Sequence, residues 1–180
     1  MIVTAIALIE EENGDTEKVT MRKIAARSGV SVGLINHYFS SKEILIEQCV
    51  QRIIGGVIRS FRPELSGADS RTDILKSTAK QVIDFLMENR QISRISILGD
   101  CSDPKERDNT MGTVYGFASC ISQGSPSEYE LQKAFLLTSM LQASFLRKDV
   151  LKQTLHIDFA DKSERDRYID TMIETIYGGE

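Results

Sequence analysis

Side chains that could bind phosphate are concentrated in one stretch near the N-terminus. Between Lys18 and Lys42 the basic residues include Arg22, Lys23 and Arg27, and the stretch contains no Asp or Glu. Acidic residues flank it on both sides, and the whole chain of 180 residues has a net charge of −4. Because salt screens charges beyond about 8 Å, a local basic cluster can attract phosphate even in an acidic protein. The charges alone fit two interpretations, a nucleic-acid contact or a solvated helix face.

The residue spacing inside this stretch is that of two short helices joined by a tight turn. Ala25 is small enough to let two helices cross closely, and Gly29 can adopt the positive φ that the turn requires. Ile35 would anchor the second helix, and a small core would be completed by Ile24, Val30 and Phe39. These features predict a helix-turn-helix over residues 20–39. An ordinary helical hairpin inside a larger bundle is the alternative.

The second helix of such a motif would present its N-terminal residues to the outside. It fits the major groove of B-DNA, which is about 12 Å wide. The residues that we expect it to expose are Ser31, Val32, Gly33, Leu34, Asn36 and His37. Side chains at these positions would touch base edges, whereas neighbouring basic residues would touch phosphates.

Capping signals predict the helices that hold this motif. A stripe of apolar residues at helical spacing predicts a first helix over residues 1–12, which Asn13-Gly14 would end. Thr20 and Ser31 have the side chains of N-caps for the second and third helices. The third helix would run to Phe39. The expected result is a three-helix head in front of a longer helix.

That longer fourth helix would begin with a capping box, in which Ser40 is the N-cap and Glu43 lies three residues later. Its apolar residues recur at every fourth position to about Phe61. Gly55-Gly56 in its interior costs about 1–2 kcal/mol in helix propensity. Close packing against a neighbouring helix would explain the two glycines, and a compliant point between two domains is the alternative.

Hydrophobic periodicity predicts helices throughout the remainder of the chain. The expected segments are a linker over 63–69, a helix over 70–90, a shorter one over 91–99 ended by Gly99, a helix from the cap Asp103 to Ser122, a helix over 126–148 that Ser125 and Pro126 open, an irregular stretch over 149–160, and a last helix from Asp161 to Gly178-Gly179. We therefore expect an all-α fold of about nine helices, three short and about six longer.

Composition argues against several other classes of protein. The chain is 41% hydrophobic and 27% charged, which is typical of a soluble globular protein and not of a disordered one. It has no apolar run near the roughly 20 residues of a membrane-spanning helix, and its N-terminus lacks the basic start of a signal peptide. Cys49, Cys101 and Cys120 are odd in number and far apart, which argues against disulfides and for the cytoplasm.

The sequence also lacks catalytic and metal-binding patterns. His37 and His156 are its two histidines, and neither has the Cys, His or carboxylate neighbours of a zinc site. Walker loops, dinucleotide-binding glycines, HExxH motifs and ExxH pairs are missing as well. We therefore expect a protein that is not an enzyme and that holds no metal or cofactor.

The stretch from Ile2 to about Val57 resembles the N-terminal DNA-binding domain of the tetracycline-repressor (TetR) family. The resemblance rests on MRKIAARSGVS, then HYF, then SKE followed by an aliphatic helix. It implies a helix-turn-helix DNA-binding domain over residues 1–45 and a ligand-binding and dimerisation domain over residues 46–180. The C-terminal two-thirds fits the family only in the number and lengths of its helices.

The resemblance implies roles for the matching residues. The implied contacts are those of Thr20 and Arg22 with a phosphate and a base edge, of Ser31, Val32 and Gly33 with bases, of Asn36 and Tyr38 with phosphate oxygens, and of Lys42 with phosphate at the N-terminus of the fourth helix. Many members carry threonine where this chain has Leu34 and tyrosine where it has Asn36. Leu34 could instead touch a thymine methyl group, and Asn36 could read adenine.

Two C-terminal helices have the pattern of a subunit interface. The helix over 126–148 is apolar on nearly all sides, which predicts burial on more than one side. The last helix is amphipathic, so the pair suits a four-helix interface across a two-fold axis, and the resemblance implies the same homodimer. The predicted interface residues are Leu137, Leu141, Phe145, Ile169, Met172, Ile173 and Ile176. The edge of a monomeric bundle is the alternative.

Six further residues could line a ligand cavity, which is expected mainly from the family. They are Met87, Met111, Tyr115, Cys120, Phe135 and Met140. Plain core packing is the simpler explanation for any one of them. Because few candidates for buried charge stand out, the pattern favours an apolar or aromatic ligand. His156 could lie at the surface, in the pocket or against a second subunit.

The combined interpretation is a ligand-responsive, homodimeric regulator of transcription. In its simplest form it is a repressor of transcription that binds a palindromic operator in double-stranded DNA. A small, largely apolar effector releases it from this operator, and no membrane is involved. An enzyme built on a helical bundle is one alternative, which stoichiometric ligand release without turnover would exclude. A ligand-binding or interaction protein with a vestigial helix-turn-helix is the other, and it is favoured only by Leu34 and Asn36.

Lys42→Ala should lower the slope of the logarithm of DNA affinity against the logarithm of salt concentration by about one unit, because one phosphate contact is lost. Fluorescence anisotropy of a labelled duplex taken from the DNA that flanks the protein's own gene measures this slope. An unchanged slope would remove Lys42 from the phosphate contacts.

Overall fold

Ten helices make up most of the chain in the computed structural model, which describes residues 1–60 and 70–178. They are α1 (Ile2–Glu11), α2 (Met21–Ser28), α3 (Val32–Tyr38), α4 (Lys42–Ser60), α5 (Arg71–Glu88), α6 (Arg90–Ser102), α7 (Asn109–Ile121), α8 (Glu128–Leu146), α9 (Lys148–Thr154) and α10 (Lys162–Tyr177). The described residues form no strand, so the predicted all-α fold is confirmed, with one helix more than expected. The predicted linker over 63–69, the predicted end of the fourth helix at Phe61 and the glycine at 179 lie outside the described residues. Within the described ranges, no helix combines the length and the apolar surface needed to span a bilayer.

The first three helices, α1–α3, are termed the head. Capping residues and a tight turn define where α2 and α3 begin and end. Thr20 caps α2 by accepting a hydrogen bond from the Lys23 amide at 3.2 Å. Ser31 caps α3 by accepting one from the Leu34 amide at 3.1 Å. Gly29, with φ of 68°, makes the left-handed turn between these two helices. Both predicted caps and the predicted turn are therefore confirmed.

The remaining helices, α4–α10, are termed the body. The head shares its apolar core with two of them, α4 and α6. Ile24 and Ile35 are fully buried in the head, and the same cluster includes Ile92 of α6 and several residues of α4 as far as Ile54. The division at residue 45 stays a prediction, but the apolar packing of the head continues past that point along α4.

A pair of reciprocal hydrogen bonds reinforces the junction of α6 with the head. The Thr16 amide donates to Oε1 of Gln91 at 3.2 Å, and Nε2 of Gln91 donates to the Thr16 hydroxyl at 3.0 Å. Because Thr16 lies in the loop between α1 and α2, the head is attached to the body at this loop as well as through α4.

A second core lies between α5, α7, α8 and α10. Its large, fully buried side chains include Phe117, Leu137, Leu141, Ile169 and Ile173. At one end Arg165 is buried and donates hydrogen bonds to Asp84 of α5 and to the Phe159 carbonyl. These bonds tie α10 and the segment before it to α5.

Two helices begin later than their capping sequences predicted. Ser41, and not Ser40, caps α4, because its hydroxyl accepts a hydrogen bond at 3.3 Å from the amide three residues later. Asp108, and not Asp103, caps α7 in the same way, at 2.8 Å. Both predictions are wrong for one reason: two candidate caps lie close together, and local pattern does not choose between them.

Close contacts between helices explain some glycines that the sequence left open. α6 continues through Gly99, which was predicted to end it, and a Cβ there would lie 2.7 Å from Oε1 of Glu47 on α4. A Cβ at Gly55 would lie 2.9 Å from Oδ1 of Asn109 on α7. A Cβ at Gly56 would meet nothing within 4 Å. Close packing therefore explains Gly55 but not its neighbour.

The C-terminal segments also depart from the predicted pattern. α8 begins after a capping box formed by Ser127 and Glu130, later than the predicted start at 126. Residues 148–154 form α9, where an irregular stretch was expected, and His156 is exposed beyond it. α9 has no fully buried residue, so it lacks the hydrophobic stripe by which a helix is found in a sequence.

Asp108→Ala should lower the free energy of unfolding by about 1–2 kcal/mol, because α7 loses its N-cap. Asp103→Ala is the matched control, since the Asp103 side chain makes an exposed ion pair with Lys105 and should change stability much less. Urea unfolding followed by circular dichroism compares the two variants. Equal losses of stability would contradict the assignment of the cap.

Candidate nucleic-acid interface and the adjoining cleft

The short helix α3 turns one side chain fully into the head and most of the others outward. Ile35 is fully buried, whereas Leu34 is 41% and Tyr38 65% exposed. The other predicted contact residues of this segment are Ser31, Gly33, Asn36 and His37, which are exposed, and Val32, which is half-buried. The residues that the sequence predicted as DNA contacts on α3 therefore lie at or near the surface.

Two of the predicted contact residues also hold the helices in place. Thr20 and Ser31 use their hydroxyl oxygens to accept the capping hydrogen bonds, and both residues remain exposed. Their hydroxyl hydrogens are left to donate to a phosphate oxygen. A single side chain at each position can thus serve the fold and the surface at once.

Gly33 lies on the outer surface of α3 without a reason inside the protein. A Cβ at this position would meet only the Ser31 hydroxyl oxygen, at 3.8 Å, which is ordinary contact. A glycine within a helix costs about 1 kcal/mol relative to alanine. Neither packing nor backbone conformation requires glycine here, which favours a close approach of α3 to something outside the chain.

Most basic residues of the acid-free stretch over 18–42 form ion pairs with acidic residues that precede this stretch in the sequence. Arg27 donates two hydrogen bonds to Glu11 of α1, at 2.5 and 2.7 Å, and these bonds lower the pKa of Glu11. The other pairs are Lys23 with Glu12 at 3.1 Å and Lys18 with Asp15 at 3.0 Å. Arg22 and Lys42 make no ion pair with any residue in the described ranges. Fewer basic side chains are therefore available to bind phosphate than the number of basic residues in this stretch indicates.

An aromatic pair closes the end of α3. The rings of His37 and Tyr38 meet edge to face, with their centroids 5.4 Å apart. Both residues are exposed, Tyr38 by 65%. A hydroxyl in this position can donate to a phosphate oxygen.

A cleft of about 980 Å³ lies between α4, α7, α8 and the segment that joins α6 to α7. Met111, Tyr115 and Phe135 line this cleft. The other predicted pocket residues lie elsewhere: Cys120 is buried in the body core, Met87 packs against that core, and Met140 is 37% exposed on α8. The structure therefore brings together three of the six residues that were predicted to share a pocket.

The wall of the cleft contains a polar network that no sequence motif indicated. Asp100 of α6 is 6% exposed and accepts hydrogen bonds from Gln51 of α4 and Thr110 of α7. The Thr110 hydroxyl accepts in turn from Gln142 of α8 at 3.0 Å. Burial raises the pKa of Asp100. The network joins four helices, and its members are too far apart in sequence to form a recognisable pattern.

The outer surface of α8 differs from the interface that the sequence predicted. Six of the predicted interface residues, Leu137, Leu141, Phe145, Ile169, Met172 and Ile173, are buried in the core of their own chain, and Ile176 is half-buried against it. These side chains already have partners, so a second copy could not reach them without unpacking the core. The apolar residues that α8 exposes are Tyr129, Phe135, Leu136 and Met140. The helix is apolar on two sides, as predicted, but the sequence assigned the wrong side to the surface.

Comparisons with known proteins agree with this architecture. Residues 2–49 match the family model of bacterial regulatory proteins, tetR family. The nucleoid occlusion factors SlmA of Actinobacillus pleuropneumoniae serotype 5b (strain L20) and serotype 3 (strain JL03) are each 29% identical to this chain over 157 residues, covering 79% of this chain and 75% of the relative. The crystal structure of a TetR transcriptional regulator from Rhodococcus sp. RHA1 superposes with a TM-score of 0.63 and 16% identity, covering 99% of this chain and 93% of that one. The last likeness concerns the fold alone.

A helix-turn-helix head that matches the tetR-family model over residues 2–49, on an all-α body, is typical of DNA-binding regulators of transcription. Residues 2–49 match the tetR family, which is the family that the N-terminal sequence resembles.

Gly33→Ala should raise the free energy of unfolding by up to about 1 kcal/mol, because alanine favours the helix and the Cβ has room. Its affinity for DNA should nevertheless fall by about tenfold or more, since the added methyl group occupies the space between α3 and the base edges. Urea unfolding and fluorescence anisotropy measure the two effects.

Gly116→Ala on α7 is the matched control, because a Cβ there also meets nothing within 4 Å. It should stabilise the protein without changing its DNA affinity. If Gly33→Ala binds DNA as well as the unmodified protein does, α3 does not approach the bases closely.

Proposed function

We propose that this protein is a homodimeric repressor that binds a palindromic operator and leaves it when a small molecule binds in the cleft. The observation that carries the DNA half of this proposal is the outward surface of α3, which is held in place by the buried Ile35. A helix fixed in this way keeps its exposed side chains in one position as it enters the major groove. Since such a protein acts on chromosomal DNA, its proposed location is the cytoplasm.

The proposed contacts divide into those that position the protein and those that read sequence. Arg22 and Lys42, which make no ion pair with described residues, would hold phosphates. Leu34 would touch a thymine methyl group, and Asn36 would make paired hydrogen bonds to adenine. These last two residues would then decide which operator this protein prefers.

Dimerisation would use the outer surface of α8. Two copies of α3 must lie about 34 Å apart to enter successive major grooves on one side of a duplex, so a DNA-bound regulator of this type needs a second subunit. Leu136 is 54% and Tyr129 58% exposed, and with Met140 they form a larger group of exposed apolar side chains than any other helix of the described part carries. Large exposed apolar surfaces on a soluble protein favour a protein partner.

The cleft is suited to control the head, because the helices that line it also carry the head. α4 contributes Gly55 and Ile58 to the cleft, and its N-terminal half lies in the head core. α6 contributes Asp100 near one end, and Gln91 near its other end binds the loop between α1 and α2. A ligand that favours another arrangement of these helices would shift the population away from the DNA-binding state. Operator DNA would weaken ligand binding by the same factor.

Leu136→Glu should convert the dimer into a monomer, because the interface would have to bury an unpaired charge. Operator affinity should fall by about tenfold or more, since each monomer holds a single half-site. Leu98→Glu is the matched control, because Leu98 on α6 is 40% exposed and lies outside the α8 surface. Sedimentation equilibrium measures the association state. A dimeric Leu136→Glu variant would place the interface elsewhere.

A second candidate function comes from the relatives in Actinobacillus pleuropneumoniae, which are named nucleoid occlusion factors. The likeness covers most of the chain, including the body, so this protein could act on the nucleoid as a whole instead of at one promoter. A factor of that kind would need binding sites spread over the chromosome, whereas a repressor needs a few sites beside regulated genes.

Chromatin immunoprecipitation followed by sequencing tests both candidates in one experiment. Enrichment at a few promoters, the protein's own included, is the expected result and supports the repressor. Many sites scattered across the chromosome would favour the nucleoid occlusion factor. No enrichment, together with binding to a promoter duplex no tighter than to a random duplex, would contradict both and favour a vestigial helix-turn-helix.

A further inference from the structure

Asp100 is a buried carboxylate that makes no ion pair with any residue in the described ranges. Its side chain accepts hydrogen bonds from Nε2 of Gln51 at 2.9 Å, from the Thr110 amide at 2.8 Å and from the Thr110 hydroxyl at 2.9 Å. All three donors are neutral, and Asp100 makes no ion pair with a described residue. A carboxylate that is removed from water is stabilised far better by a charged donor than by neutral ones. The raised pKa of this carboxyl group agrees with incomplete compensation.

The same cleft also offers aromatic and apolar surface. Tyr115 is 50% and Phe135 48% exposed, so each has a large part of its ring free to meet a ligand. Ile58 and Met111 add apolar lining from α4 and α7. Aromatic faces attract organic cations, and the attraction strengthens where water is displaced.

Three positive residues also line the cleft, and all of them are exposed: Arg59, Lys105 and Arg107. Lys105 pairs with Asp103 at 2.9 Å, and both residues are exposed in the segment between α6 and α7. Arg107 lies in the same exposed segment, next to Glu106 and Asp108. Charges that are open to water are screened, whereas the buried charge of Asp100 is screened much less. The buried part of the cleft therefore favours a cation.

We propose that the cleft takes an organic cation, with an aromatic or apolar body and a protonated primary or secondary amine that donates a hydrogen bond to Asp100. This inference rests on the proposed effector site and specifies its ligand. It refines the apolar or aromatic ligand that the sequence favoured, because a buried carboxylate in a cleft with aromatic lining selects for a complementary charge.

The position of Asp100 also gives this ligand a way to act on the head. Gln51 of α4 donates to the same carboxylate and also donates to the Ser96 carbonyl of α6 at 3.1 Å. An ammonium group that donates a hydrogen bond to Asp100 competes with Gln51 and Thr110 for the carboxylate oxygens. The bonds that hold α4 against α6 and α7 then change, and α4 is the helix that continues into the head.

Three probes with one aromatic body separate the ligand classes: phenylbutylamine, phenylbutanol and phenylbutyrate. Isothermal titration calorimetry with the full chain and no DNA measures their affinities. The amine should bind at least about tenfold more tightly than the alcohol, and the carboxylate should bind no better than the alcohol. This ratio is measured on the unmodified protein, so it does not depend on whether a variant folds.

Asp100→Asn keeps the shape of the side chain and removes its charge, so it should reduce the ratio of amine to alcohol affinity to about one. Asp103→Asn is the matched control, since it removes an exposed negative charge beside the cleft and should leave the ratio unchanged. Circular dichroism confirms that both variants are folded.

Three results would overturn the proposal: a ratio near one in the unmodified protein, tightest binding of phenylbutyrate, or no binding of the amine at about 10 mM.

Release of a labelled promoter duplex is measured separately. If the amine binds but releases no DNA, the ligand class stands and the proposed effector response fails. If the amine does not bind while the protein binds its promoter, the ligand class fails and the regulator stands.

Discussion

The burial of Ile35 is the interaction on which the DNA-binding surface depends. α3 has seven residues, and an isolated helix shorter than about 12–15 residues is at best marginally stable in water. Two features compensate for this weakness: the cap at Ser31 and the fully buried side chain of Ile35. With its inner side fixed, the helix can expose Gly33, Leu34 and Asn36 in a defined orientation. The outer side chains carry the chemistry, and the inner one gives them a position.

The head in turn depends on the body, because its core is not closed by its own three helices. α4 and α6 complete that core, and Gln91 holds the loop that precedes α2. The same two helices supply Gly55, Ile58 and Asp100 to the cleft. A rearrangement at the cleft therefore has two rigid routes to the head, one through α4 and one through α6. The proposed coupling of a ligand site to the DNA-binding surface would rest on this shared use of two helices.

Several site features could be predicted from sequence because neighbouring residues decide them. The caps at Thr20 and Ser31 and the turn at Gly29 are settled by contacts within four residues, and each was predicted correctly. The cap of α7 shows the limit of this reasoning. Asp103 and Asp108 are equally good caps in isolation, and α6 decides between them by extending to Ser102. The extended part of α6 includes Gly99, where a Cβ would lie 2.7 Å from Oε1 of Glu47 on α4, which is far away in the sequence.

The sequence by itself determined the helical class of the protein, the helix-turn-helix and the residues on the outer side of α3, because hydrophobic periodicity and capping are local properties. Only the tertiary structure decided which charges stay free, since Glu11 reaches Arg27 from another helix. It also decided that Leu137 faces the core while Leu136 faces solvent, and it brought Asp100, Gln51 and Thr110 together. Such contacts join residues between 10 and 49 positions apart, and no periodicity in the sequence records which surfaces will meet.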